Sequence, residues 1–309
     1  MLERYISPRE LRRIDHYSQL ALLGAHLALE DAGVAAKDLK RLGVAIATGY
    51  GPSRSMFKFL DSILNDGIAC ASPSHFAASV HITASAYIAM KLGIEGPDHT
   101  VSQFEMSLPS ALLTACAWLE EDRLDAVLLG GVDEYCDVLG YSWRRFFEQG
   151  DDVEMCPLDT GRQSAVPGEG AAFLLLTRGK GAGGYAVVRE TDTAFRSQRI
   201  TATVPSGAVL LLGADGCKNY GSKYHDIADQ GRDVVCYTPL YGSLPVGFGF
   251  QLAAAALMVK EGKIFATPAP PPVGGPFHAV VQEQDLDARP VSCILRGAGK
   301  NLAATTLST

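Results

Sequence analysis

Leu42-Gly-Val-Ala-Ile-Ala-Thr48 is a short, unbroken apolar run that carries the β-branched Val44 and Ile46. An alternating pattern would leave one face in water. An unbroken one predicts a strand buried on both faces, as in a parallel sheet covered by helices on each side. The flanks agree. Upstream, Asp15 is placed to cap a helix, Leu20, Leu23 and Leu27 recur at helical spacing, and Gly33 follows Glu30-Asp31 as a stop. Downstream, Gly49 and Gly51 break the strand, and Met56, Phe57, Leu60 and Ile63 begin a second helical stripe. The alternation continues with a helix over 84–92, a strand over 99–102 and a helix face at Leu108, Leu112, Ala115 and Leu119. A strand over 125–131 then runs into a glycine turn at Gly130-Gly131, and another covers 170–177. This order predicts a layered α/β fold.

Gly179-Lys-Gly-Ala-Gly-Gly184 is the best internal boundary, dividing the chain into halves 1–182 and 183–309. Beyond it the pattern recurs: strands over 185–188 and 208–212, a helix over 219–230, a strand over 233–237 and a helix over 248–259. A strand pair lies around 292–295 and 302–305, and the Pro-rich stretch 267–276 reads as an extended surface connection. The halves resemble each other as duplicated α/β units.

Composition removes several function classes. Lys+Arg total 27 against 34 Asp+Glu, a formal charge of −7 with no basic block, which argues against a phosphate-neutralising nucleic-acid surface. The longest greasy run, Phe248 to Val259, is too short to cross a bilayer and contains Gln251. The opening Met-Leu-Glu-Arg-Tyr-Ile lacks the layout of a signal peptide. The seven cysteines include no CxxC pair, so neither a zinc site nor a disulfide frame is expected. The expectation is a cytoplasmic globular protein without metal, cofactor, nucleic acid or membrane partner.

Three glycine-rich points follow strands, at 130–131, 213–216 and 297–299, and none has the spacing of a nucleotide loop. Tight turns explain them better. Glu105 stands between the strand over 99–102 and the helix that starts near Ser107, with Pro109 in its first turn. Exposed N–H groups there favour a negative charge, so Glu105 either caps the helix or acts chemically. No histidine follows a strand in a glycine-rich turn. Among the thiols, Cys217 after Gly216 is the one placed for reactivity, whereas Cys116 and Cys293 read as small buried hydrophobes.

The segment Met155-Cys-Pro-Leu-Asp-Thr-Gly-Arg-Gln-Ser-Ala-Val-Pro-Gly-Glu-Gly-Ala-Ala172 resembles the Arg-Pro-Phe-Asp-…-Arg-Asp-Gly-…-Gly-Glu-Gly-Ala signature of the β-ketoacyl synthase family. Ser72-Pro-Ser-His-Phe through Ser79-Val-His81, Leu92 to Val101, and Asp125 to Glu134 are similar to further stretches of that family in the same order. The resemblance implies a thiolase-like fold, a duplicated five-layer α/β/α/β/α sandwich with five-stranded mixed sheets. The family's opening strand has no equivalent in the lead before Arg12.

The departures bear on function. Where catalytic members carry Asp-Thr-Ala-Cys-Ser-Ser, this chain reads Ser102-Gln-Phe-Glu-Met-Ser107, so Glu105 takes the place of the acylated cysteine. Ala214-Asp215-Gly216-Cys217 and Thr238-Pro-Leu-Tyr-Gly242-Ser243 stand where the family's two histidine motifs stand. Asp215 and Ser243 thereby replace the histidines and Thr238 the lysine. Condensation needs a thiolate to carry the acyl chain and two imidazoles to stabilise developing negative charge. Glu105 cannot hold a thioester, and Asp215 would repel that charge.

The resemblance therefore implies a non-catalytic subunit like a chain-length factor of a type II fatty-acid or polyketide synthase, paired with an active ketosynthase. In the family the strand over 99–102 lies at the dimer interface. Gln103, Phe104, Glu105 and Met106 would then stand beside it, with the bulky Phe104 and Met106 narrowing or walling off the acyl tunnel or plugging a dead pocket. Two alternatives stay open. One is a rewired enzyme using Glu105 with Asp215, or Cys217. The other is a homodimeric pseudoenzyme that docks an acidic acyl carrier protein on Arg144, Arg145, Lys218 and Lys223.

Overall fold

The structure, a computed structural model, describes residues 1–147, 154–179, 183–195, 204–218, 224–228, 231–269, 271, 275–297 and 301–309. The chain forms two compact units, Met1–Gly140 with Glu169–Gly179, and Tyr141–Gly168 with Lys180–Thr309. The division departs from 182/183 by one excursion. Residues Tyr141–Gly168, with most of the signature segment, pack into the second unit before the chain returns for one more strand of the first.

In the first unit, helices α1 (Pro8–Leu11) and α2 (His16–Asp31) precede strand β1 (Leu42–Ala47). Helices α3 (Ser53–Asp66), α4 (Pro73–Ala78) and α5 (Thr83–Leu92) lead to β2 (Asp98–Val101). Helix α6 (Ser107–Glu120), β3 (Ala126–Asp133) and β4 (Gly170–Thr177) follow, and α7 (Asp137–Phe147), between β3 and β4, begins in the first unit and ends in the second. Residues before α2 form short helical turns and no strand. Asp15 caps α2, accepting from the Ser18 N–H at 2.9 Å.

The sheet runs β2-β1-β3-β4; β1 is parallel to β2 and β3, and β4 is antiparallel to β3. Every residue of β1 and β3 is buried, as the unbroken apolar runs require. On one face Val44, Ile46, Ala126 and Leu128 pack with Tyr17, Leu22 and Ala25 of α2 and with Ala84 and Ile88 of α5. Leu108, Leu112, Ala115 and Leu119 of α6 are buried outside that cluster, and α6 packs on β1 and β3. Each fully buried Leu or Ile contributes about 1.5–3 kcal/mol, so this sandwiched pair of strands is the main adhesive of the unit.

One reading needs correction. Gly130-Gly131 is not a turn but the middle of β3, paired with β1 and β4. The glycines serve packing. The Phe173 ring of β4 lies against Gly24 of α2 and Gly130 of β3, where any Cβ would overlap it.

In the second unit a sheet of order β5-β12-β11-β6-β7-β9 comprises β5 (Val187–Phe195), β6 (Val209–Leu212), β7 (Asp233–Val235), β9 (His278–Ala279), β11 (Val291–Arg296) and β12 (Asn301–Ser308). Helix α8 (His225–Ala228) falls within the expected helix over 219–230, of which 219–223 and 229–230 lie outside the described residues, and α9 (Gly247–Glu261) fulfils the expectation over 248–259. Strands β8 (Lys263–Ile264) and β10 (Gln284–Asp285) form a separate ribbon beside α9. The duplication is plain in the topology. Strands β6, β7, β11 and β12 repeat the order and directions of β1, β2, β3 and β4. Among the described residues the sheets hold four and six strands instead of five each, and β5 and β9 have no counterparts in the first.

Gly130→Ala is expected to cost about 1–3 kcal/mol in urea unfolding through overlap with the Phe173 ring. Adding Phe173→Leu should recover part of that loss. Strictly additive effects would show that the ring is not the obstacle.

Candidate functional site

The corner between β2 and α6 is built from a few hydrogen bonds. Ser107, fully buried, accepts the Gln103 N–H at 2.7 Å, and its Oγ lies 2.9 Å from the Thr48 carbonyl and 2.6 Å from that of Phe104. Gln103 is held further by Ser110, whose hydroxyl donates to its Oε1 at 2.8 Å. Phe104 has a φ of +48°, in the left-handed region that an aromatic residue rarely occupies, and is 62% exposed. Glu105 and Met106 follow in the same tight turn, both half-buried. All four belong to the first unit.

Behind this corner lies a carboxylate that sequence reading passed over. Asp133, at the carboxyl end of β3, is fully buried and accepts from Thr48 Oγ1 (2.7 Å) and from the N–H groups of Gly49 (3.0 Å), Tyr50 (2.7 Å) and Gly51 (3.3 Å). Burial pushes its carboxyl up to about 6, against the opposing pull of those donors. The next residue, Glu134, accepts the Arg54 N–H at 2.7 Å through Oε1, while its buried Oε2 has no hydrogen-bond partner and the Arg54 Nε stands 3.9 Å away. Burial pushes Glu134 up to about 7. Arg54 also pairs with Glu169, which His16 approaches at 3.2 Å and to which Tyr135 N–H donates. Two adjacent acids closing an otherwise apolar strand, Asp133-Glu134, were the available signal.

The second unit brings together Asp215, Ser243 and Thr238. The Ser243 hydroxyl donates to Asp215 Oδ2 at 2.7 Å, and the Cys217 N–H donates to Oδ1 at 3.0 Å. Burial raises the Asp215 carboxyl above its ordinary value. Thr238 donates to the Ala214 carbonyl at 2.7 Å. The signature segment clamps both turns. Ser164 N–H donates to the Gly216 carbonyl, Ser243 N–H to Val166, and Gly168 N–H to Ser243. Gly242, at φ +81°, passes directly over Gly168, 2.8 Å from its Cα if it carried a Cβ.

Such an arrangement positions a carboxylate and a hydroxyl that satisfy each other. It offers no ring N–H to a developing oxyanion: His225 pairs with Thr160 and His278 with Asp233, and no described histidine bonds to Asp215 or Ser243. Cys217 departs from the expectation of a reactive turn thiol; it is 3% exposed, because the Asp215–Cys217 turn folds against Ser164-Ala165. Cys236 is likewise buried, and burial pushes its thiol up to about 11. Of the basic residues, Arg144, Arg145 and Lys218 are exposed on the second unit, and Lys223 lies outside the described residues. Among the described residues no cluster could hold a metal ion, and no helix is long and apolar enough to cross a membrane.

Comparison with known proteins accords with this architecture. The family described as "Beta-ketoacyl synthase, N-terminal domain" matches residues 3–182. The chain belongs to the β-ketoacyl synthase family. It is 25% identical over 258 residues to 3-oxoacyl-[acyl-carrier-protein] synthase 2 of Staphylococcus aureus (strain N315), covering 80% of this chain and 61% of that protein's length. Among solved structures, the ishigamide ketosynthase/chain length factor matches with a TM-score of 0.84 at 20% identity, over 100% of this chain and 86% of the other. A type II PKS acyl-carrier protein in complex with its ketosynthase bound to the hexaketide matches with a TM-score of 0.82 at 17% identity, over 95% and 84%. At these identities the likeness establishes the thiolase-like fold.

Asp133 and Glu134 both titrate above their ordinary values. The folded unit therefore keeps protons that the unfolded chain releases, and stability falls as pH rises through about 6 and 7. Urea midpoints should drop between pH 5 and pH 8, a window set by those values. Glu134→Gln should flatten the slope and add about 1–3 kcal/mol at the alkaline end. An unchanged slope would remove Glu134 from the account.

Proposed function

We propose that this chain is a non-condensing, chain-length-factor-like subunit that pairs with an active ketosynthase and helps to bound the acyl chain that the partner extends. One observation carries the proposal. The Asp215 carboxylate is held by the Ser243 hydroxyl, and the motif resemblance sets these two where the family has its histidines and Glu105, in the turn before α6, where it has its cysteine. A carboxylate in place of that cysteine cannot carry a thioester, and a second one, already holding the nearby hydroxyl, opposes enolate and oxyanion charge.

Surface features of the first unit support a partner. Leu64 and Ile68 are 80% and 83% exposed, and Phe76 and Phe104 are more than half exposed. Apolar exposure of this kind marks interaction surfaces. Strand β2 ends the sheet with its outer side unpaired among the described residues. Phe104, held by its strained backbone and pointing out of the fold, is the residue we assign to the tunnel wall. The matched ketosynthase/chain length factor and the ketosynthase complexed with an acyl-carrier protein are the precedents for these partner kinds. Arg144 and Arg145, exposed on α7, suit an acidic carrier protein.

Co-expression with a ketosynthase encoded beside it should give a complex on gel filtration. Phe104→Ala should shift the length of the product made by that pair. The isolated chain, incubated with acyl and malonyl thioesters, should gain no covalent mass and release no CO2. Absence of a complex together with unchanged product length would remove the proposal, and covalent acylation would return Glu105 or a cysteine to catalysis.

A further inference from the structure

Three neighbouring parallel strands of the second unit, β11, β6 and β7, begin at one end of their sheet, with Val291, Val209 and Asp233. A cavity of about 310 Å³ opens there, lined by the Ser206–Ala208 turn and by Gly231, Arg232, Asp233 and Arg289. It lies at the opposite end of β6 from Asp215, a distance of about 13 Å for the four residues of that strand. Strand starts are not the usual place for a ligand in an α/β sheet. The charges carry the argument instead.

Two of the lining side chains are guanidinium groups and one is a carboxylate. That carboxylate is already answered: Asp233 Oδ2 accepts from Arg289 Nη1 at 2.6 Å, and Oδ1 lies 3.0 Å from His278 Nδ1. Arg289 Nε donates to the Leu286 carbonyl at 3.2 Å, and its Nη2 has no partner among the described residues. Arg232 adds a second positive charge, and no other lining residue is acidic. The backbone fixes where Arg289 stands. Asp287 and Ala288 lie at φ +51° and +57°, in a region that two successive non-glycine residues rarely share, and across their turn the Arg289 N–H donates to the Leu286 carbonyl at 3.0 Å. The Pro290 carbonyl then accepts the Val209 N–H at 3.0 Å, which joins this turn to the start of β6. Strain of this kind persists where the surroundings hold it, and it concentrates at ligand sites.

We propose that this cavity is a binding site for a single phosphate group. A guanidinium fork offers N–H donors in the geometry of phosphate oxygens. One surplus positive charge, with the Ser206 hydroxyl beside it, suits one phosphate and not a polyphosphate. The volume is about ten times the share of one water in the liquid, so a few carbon atoms fit beside the phosphate, whereas a dinucleotide does not. The site is independent of the proposed function, because it uses none of the residues at the carboxyl ends of the strands.

Isothermal titration of the full chain with inorganic phosphate and with ribose 5-phosphate tests the proposal, with ribose and acetate as blanks. At least one of the two phosphates should bind saturably, with a dissociation constant of about 1 mM or below, and should raise the urea midpoint. Tighter binding of ribose 5-phosphate identifies a phosphate ester as the occupant, and tighter binding of inorganic phosphate identifies the free ion. Arg232→Gln and Arg289→Gln should each weaken binding about tenfold. Arg289 also holds Asp233, so an exposed position supplies an independent variant: Ser206→Glu should weaken binding by a similar factor, and Ser206→Lys should not. Arg123→Gln, exposed in the first unit, removes the same charge elsewhere and should leave the constant unchanged. No saturable binding of either phosphate, acetate bound as tightly as phosphate, or affinities indifferent to both arginine substitutions and to the sign of charge at 206 would each overturn the proposal. Equal weakening by Arg123→Gln would overturn it too, by assigning the binding to net charge.

Discussion

The Asp133 carboxylate is the fixed point from which the functional end of the first unit is suspended. It takes the Thr48 hydroxyl and the N–H groups of Gly49, Tyr50 and Gly51, so the loop leaving β1 cannot move away from the end of β3. Thr48 in turn accepts Ser107 through its carbonyl, and Ser107 accepts the Gln103 N–H. The geometry of the Phe104–Glu105 turn is thus relayed from a buried anion through two hydroxyl-bearing residues. A carboxylate accepting several backbone donors is strongly bound even though its burial is costly, because each donor would otherwise be buried unpaired. That balance leaves Asp133 at about 6 and not higher.

Much of this fold was legible in the sequence because its strands are buried on both faces. A run such as Leu42–Ala47 has no alternative in water, and the helices beside it carry their own stops and caps, as Asp15 does for α2. Failures came where the decisive partner is distant along the chain. Gly130 looks like a turn glycine until Phe173 arrives from the fourth strand to occupy its missing side chain. Cys217 looks exposed after Gly216 until Ser164-Ala165 folds over that turn. The division at 182/183 followed glycine content, whereas the signature segment crosses into the second unit to pin Gly216 and Ser243.

The candidate site was legible in part and for a different reason. Family motifs drew attention to Glu105, Asp215 and Ser243, but not to the bond between the last two. The Asp215–Ser243 bond required a fold that sets two turns 28 residues apart side by side. Asp133 escaped notice because acids at a strand end, even two in a row as at Asp133-Glu134, resemble surface residues in any linear pattern. Its burial follows from the four N–H and hydroxyl donors that the next loop directs at it.

The second unit also shows why its fold does not depend on the side chains at 215 and 243. The segment Met155–Gly168 binds Gly216 and Ser243 through main-chain groups, and those bonds are indifferent to the side chains at 215 and 243. Substituting the side chains therefore leaves the clamp intact. What changes is the electrostatic character of the space beside it. Asp215 sits where burial already raises its carboxyl, so a further negative charge nearby would be opposed. Ser243 answers that carboxylate with its single proton, and a hydroxyl so engaged has none left to donate elsewhere. A scaffold held by backbone bonds can carry different side-chain pairs at these two turns and remain the same fold.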